Sequence, residues 1–112
     1  MNSITTHVLD TARGLPAAGV PIRLEYKKGA AFEPVGSGVT DGDGRLRSLL
    51  AEGALLSGEY RITFDTGTYF SRLGVKGFYP EVVIQFVVEN TTEHFHVPLL
   101  ISPYGYSTYR GS

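Results

Sequence analysis

The chain has 112 residues, a formal net charge of −1 and no cysteine. That length suits one compact domain over 1–112, burying roughly 65% of the surface its unfolded chain would expose. Balanced charge argues against a whole-domain field for nucleic acid or acidic membrane. The missing thiols exclude disulfides, thiolate metal sites and cysteine nucleophiles.

The opening stretch, MNSITTHVLD, has neither the basic nor the apolar region of a signal peptide. No apolar run approaches the roughly 20 residues of a membrane span. The expectation is a soluble, cytoplasmic protein without nucleic-acid or membrane partners. Fourteen glycines and six prolines punctuate segments that mostly alternate with period two, the pattern of half-buried antiparallel strands.

The first predicted strand, 4–10, puts Ile4, Thr6 and Val8 on one face and Thr5, His7 and Leu9 on the other. After the turn RGLPAAG, residues 20–26 place Val20, Ile22, Leu24 and Tyr26 inward, with Arg23 and Glu25 outward. KKGA separates these from a strand over 35–40. TDGDGR follows, with Asp41, Asp43 and Glu52 at positions one, three and twelve of a calcium-binding loop. Arg45 stands where that loop needs oxygen, and Leu46 where it needs glycine. A tight Asp-Gly turn delivering Arg45 onto a strand over 45–49 is the better reading. Arg45 is then either a surface cation or a rigid fork of donors for a carbonyl-rich ligand.

Residues 59–65 alternate again, with Tyr60, Ile62 and Phe64 inward. Asp65-Thr66 is an N-cap signal for two helical turns over TYFSRLG, stopped by Gly74. The run 82–89 is apolar on both faces and predicts a central strand or one under an oligomer contact. In 93–101, Phe95, Val97, Leu99 and Ile101 face the core, while His94, His96, Pro98 and Leu100 face away. A last strand over 104–110 carries the chain almost to its end. About eight strands and one short helix predict an all-β, two-sheet sandwich or small barrel.

Both outward faces that carry histidine also carry leucine, Leu9 and Leu100. Either the imidazoles are surface groups beside incidental leucines, or this face is covered by another subunit. His94 and His96 have the strand spacing of two zinc ligands, with His7 as a distant third. No cysteine or carboxylate near them in sequence completes such a set, and the reading is no metal. There is no Gly-x-Ser-x-Gly elbow for serine catalysis, and the basic residues form no stripe for nucleic acid.

The segments THVLDTARGLPAAGVPIRL (6–24), TDGDGR (40–45) and HFHVPLLISPYGYSTYRGS (94–112) resemble the 5-hydroxyisourate hydrolase family, the transthyretin-related proteins. Transthyretin, the hormone carrier, shares the ending up to Tyr-Ser-Thr but lacks the Tyr-Arg-Gly-Ser tetrapeptide, the two histidines and the arginine. The resemblance implies an eight-stranded sandwich with one short helix, assembled as a homotetramer of two dimers with pockets in the channel between them. It implies hydrolysis of 5-hydroxyisourate, the product of urate oxidation, to 2-oxo-4-hydroxy-4-carboxy-5-ureidoimidazoline, with no cofactor.

Carried over by motif, the catalytic residues are His7, Arg45, His96 and Ser112, and the substrate-binding residues are Tyr109, Arg110 and Gly111. His94 has no comparable role and is expected to be a surface residue. Ser112 brings a hydroxyl and the chain's carboxylate. The alternative is a non-catalytic, transthyretin-like small-ligand carrier in the same channel; a third is an adhesive sandwich domain.

Overall fold

A computed structural model describes residues 3–112. Nine strands and one helix occur in this span: β1 (Ile4–Asp10), β2 (Leu15–Pro16), β3 (Pro21–Lys28), β4 (Ala31–Val39), β5 (Arg45–Leu46), β6 (Gly58–Phe64), α1 (Thr66–Arg72), β7 (Val82–Val88), β8 (Phe95–Ser102) and β9 (Gly105–Thr108). Two sheets pack face to face. One has the order β4-β3-β6-β7; the other runs β2-β1-β8-β9, with β5 also paired to β1. The sandwich is all-β with one short helix, as the alternation predicts.

The inward apolar positions read from the sequence lie in the core, except Tyr26, which is half-buried against it. Ile4, Val8, Val20, Leu24, Ile62, Phe64 and Leu99 are fully buried, and Ile22, Tyr60 and Ile101 nearly so. Burying side chains of this kind contributes about 1.5–3 kcal/mol each. The helix begins where its cap signal stands: the Asp65 carboxylate accepts from Thr68 N. It ends in Gly74 at φ 69°. The helix is tied to β1 by a buried polar contact, in which the Tyr69 hydroxyl donates to Asp10 Oδ2 at 2.8 Å.

Two expectations change. The 82–89 run is an edge strand, paired only to β6, with Val83 and Val87 exposed. Its two-faced apolarity therefore does not come from a central place in the sheet. The 45–49 strand shrinks to Arg45–Leu46, because the next residues turn inward to bury Leu49 and Leu50.

β1 and β8 pair in parallel over seven residues, with Thr5 opposite His96, His7 opposite Pro98 and Leu9 opposite Leu100. On the other edge of β1, His7 lies opposite Arg45. The turn before β5 is closed by Gly44 N to Asp41 O at 2.9 Å, and Asp41 Oδ1 accepts from the N–H of Asp43 and of Arg45. Those N–H groups, Arg45's first, hold the Asp41 carboxyl below its ordinary range. Gly44 has φ 77°, and a Cβ there would stand 2.3 Å from Val8 O. Gly44→Ala is thus expected to lower stability by about 1–3 kcal/mol, seen as a lower urea midpoint at an unchanged slope.

Candidate active site

His96, on β8, is half-buried on the outward face of its sheet. Two edges of its ring are fixed. Nδ1 lies 2.8 Å from Thr5 Oγ1. The Cγ–Cδ2 edge lies against Gly111, where a Cβ would come within 2.6 Å of Cδ2. The remaining Cε1–Nε2 edge is left for an open hollow of about 330 Å³, lined by Thr5, Thr6, Arg45, Arg47, His94, His96 and Ser112.

Burial first, then the neighbouring His94, Arg45 and His7, push the His96 imidazole below its ordinary pKa. The ring is therefore neutral at neutral pH, with a nitrogen able to accept a proton. The guanidinium of Arg45 is set beside it by the Asp-Gly turn and the β1–β5 register. Arg47 adds a second cation, whose NH1 is 3.8 Å from Asp41 Oδ2. Among the described residues no side-chain carboxylate lines the hollow. Among the described residues no group of three or more histidine, aspartate or glutamate side chains converges as metal ligands.

His7 is one outward step along β1 from Thr5 and does not itself line the hollow. Its Nε2 is 2.9 Å from Asp43 O. A carbonyl only accepts, so that nitrogen carries the proton and Nδ1 holds the lone pair in the neutral ring.

The tail divides. Gly111 N donates to His96 O at 2.8 Å, which brings Ser112 to the hollow. Tyr109 and Arg110 lie outside it. Arg110 packs its guanidinium 4.7 Å from the Phe95 ring centroid and pairs with Glu93 at 3.0 Å. Tyr109 is exposed and borders a neighbouring apolar hollow with Ile84, Phe86 and Val87. Only a glycine can occupy 111 without moving the imidazole.

Pro98 explains the shape of this tail. Leu99 pairs with Thr108 and His96 with Gly111, so one antiparallel register runs through Pro98 opposite Tyr109. Proline has no N–H to donate there. β9 therefore ends at Thr108, whose hydroxyl donates to Pro98 O at 2.7 Å, and pairing resumes at Gly111.

Sequence reasoning overlooked Thr5 and set His94 aside. His94 is exposed, yet it lines the hollow, and its Nε2 is 3.0 Å from the same Thr5 hydroxyl. Alternation had already put Thr5 on the outward face with His7, and that was the available signal.

A family model described as HIUase/Transthyretin matches residues 4–111. The 5-hydroxyisourate hydrolase of Salmonella dublin is 47% identical over 111 residues, covering 99% of this chain and 82% of the relative. The structure of Klebsiella pneumoniae 5-hydroxyisourate hydrolase superposes with a TM-score of 0.86 at 38% identity, over 100% of this chain and 94% of that one. Sea bream transthyretin in complex with thyroxine gives 0.93 at 28% identity, over 97% and 94%. With the match running from the first residue of β1 to the glycine against His96, this chain belongs to the HIUase/Transthyretin family.

Proposed function

We propose that this protein is an enzyme of urate catabolism. It hydrolyses 5-hydroxyisourate to 2-oxo-4-hydroxy-4-carboxy-5-ureidoimidazoline. The observation that carries this reading is a neutral imidazole facing an open hollow beside two guanidinium groups, in a chain so similar to named 5-hydroxyisourate hydrolases. A carrier of apolar ligands has no use for that lining.

In this reading His96 Nε2 is the general base that takes a proton from water as the water attacks a ring carbonyl of the substrate. Arg45 binds the substrate's oxygens and stabilises the negative charge that develops on the carbonyl oxygen. The proton then passes to the departing ring nitrogen, leaving a carboxyl group and a ureido N–H. His7, held by Asp43 O, orients water or substrate from the strand edge. The Ser112 hydroxyl positions the substrate, and Gly111 and Arg110 hold the tail that carries it. Tyr109 borders the approach. The chemistry needs no cofactor, because an activated ring amide requires only a placed water, a base and charge stabilisation.

The working form is a homotetramer. β7 and β9 are edge strands of the two sheets and leave backbone groups unpaired on their outer sides. Ile84–Val87 and Tyr109–Arg110 border one hollow, so both edges lie on the same flank, where a second copy can extend both sheets. The outward face bearing His7, Leu9, His96 and Leu100 then suits a contact between dimers. Light scattering is expected to give about four times the 12.2 kDa chain mass; a fully active monomer would overturn the assembly.

The functional test is urate with uricase, following the decay of 5-hydroxyisourate absorbance. The protein should accelerate that decay, and exhaustive chelation should leave the rate unchanged. His96→Ala and His7→Ala should each lose about 10²–10⁴-fold in turnover with the assembly intact. Because the folded pKa of His96 is lowered, kcat/KM should fall as pH drops through an inflection below the ordinary imidazole value. An inflection above that value would exclude His96 as the base.

Gly111→Ala separates the tail's packing from its presence. The added methyl must displace the His96 ring, so turnover should drop at least tenfold while the melting temperature barely moves. Unchanged kinetics would mean that the ring can shift without consequence.

A further inference from the structure

Thr5 Oγ1 lies between two imidazoles, 2.8 Å from Nδ1 of His96 and 3.0 Å from Nε2 of His94. The rings stand nearly parallel, 17° apart, with centroids separated by 6.4 Å. Thr5 is buried, His96 half-buried and His94 exposed. A hydroxyl has one proton and two lone pairs. Placed between two ring nitrogens, it can donate to one while accepting from the other. The direction of that chain decides which nitrogen of His96 holds the ring proton.

One direction leaves His96 useless as a base. If Thr5 donates to His96 Nδ1, the neutral ring must carry its proton on Nε2, the nitrogen facing the hollow. In the other direction His96 Nδ1–H donates to Thr5, and Nε2 presents a lone pair. The Thr5 proton then turns to His94 Nε2, which accepts it when the His94 proton sits on Nδ1. Among the other groups around His96, Arg45 offers no acceptor and Gly111 only an apolar contact. The Thr5 backbone carbonyl also accepts from the ring as the weakest of its influences, and it favours a proton on the ring edge that faces Thr5, the same tautomer.

We propose that Thr5 is a positioning residue for His96. It accepts the Nδ1 proton of His96 and donates its own to His94, which fixes His96 in the tautomer whose Nε2 lone pair faces the hollow. His94 belongs to this arrangement as the acceptor that sets its direction. The kinetic consequence rests on the hydrolase reading; the tautomer itself does not.

The test separates the two. The chain contains three histidines, so long-range proton–nitrogen spectra of the uniformly ¹⁵N-labelled protein resolve each ring, with His→Ala variants giving the assignment. Above the imidazole titration range, wild-type His96 should show the Nδ1–H pattern. Thr5→Val keeps the shape and removes the hydroxyl; it should shift His96 toward Nε2–H and lower kcat ten- to a hundredfold with KM little changed. Thr5→Ser should restore both the spectrum and kcat. His94→Ala, at an exposed position that folding does not require, should move the His96 tautomer ratio in the same direction as Thr5→Val.

A wild-type His96 found in the Nε2–H form would overturn the proposal whether or not the variants fold. So would a Thr5→Val protein with an unchanged His96 spectrum. An Nδ1–H pattern that responds to Thr5 in a protein without hydrolase activity would sustain the tautomer assignment and sink the proposed reaction instead.

Discussion

The parallel pairing of β1 with β8 is the constraint on which the rest of the site depends. These strands come from opposite ends of the chain, and their register alone sets Thr5 against His96 and His7 beside Pro98. The same register buries Ile4, Val8, Leu99 and Ile101 on the inner face. Side chains alternate along a strand, so a slip of one residue in either strand would turn its two core residues into water and its imidazole into the core. Core packing and site geometry are therefore specified together. The buried Thr6 hydroxyl, which donates to Val97 O at 2.6 Å, adds a directional lock to that register.

Among the described residues, the side chains lining the hollow include two guanidinium groups and no acid. Burial comes first in keeping the His96 ring unprotonated, and the neighbouring His94 and the charge of Arg45 add to it. The balanced charge of the whole chain conceals this. The acids are spent elsewhere: Asp41 within its turn, Glu25 on Arg61 at 2.9 Å and Glu93 on Arg110 at 3.0 Å. Asp10 is buried beneath Tyr69.

Much of this was legible in the sequence. Period-two alternation located the inward residues of β1, β3, β6 and β8, because the apolar side chains of one face of each pack into the core. The Asp-Gly turn announced Arg45, since the turn needs a left-handed residue at Gly44. At β7 alternation failed to separate an edge strand from a central one, because exposed valines on an edge look the same as valines in a central strand. It also failed at Thr5 and His94. A threonine in a strand is ordinary β composition, and an exposed histidine is ordinary surface; only the three-way meeting across paired strands distinguishes them. Tyr109 and Arg110 show the converse limit. Their neighbour Gly111 lies against His96 and Ser112 reaches the hollow, but one residue of alternation and the gap at Pro98 direct Arg110 toward Phe95 and Glu93.

That gap has a thermodynamic corollary. Among the described residues of one chain, the tail beyond Thr108 is attached by one backbone hydrogen bond, one exposed ion pair and one cation–π contact. Such contacts contribute about 0.5–1.5, 0–1 and 0.5–1 kcal/mol respectively. A whole domain is held by about 5–15 kcal/mol. Detachment of the last four residues and unfolding of the sandwich are thus separate equilibria with very different midpoints. Within a single chain, heat or mild denaturant is expected to release the tail from the His96 ring while both sheets persist, so that edge of the imidazole is uncovered and covered again without refolding.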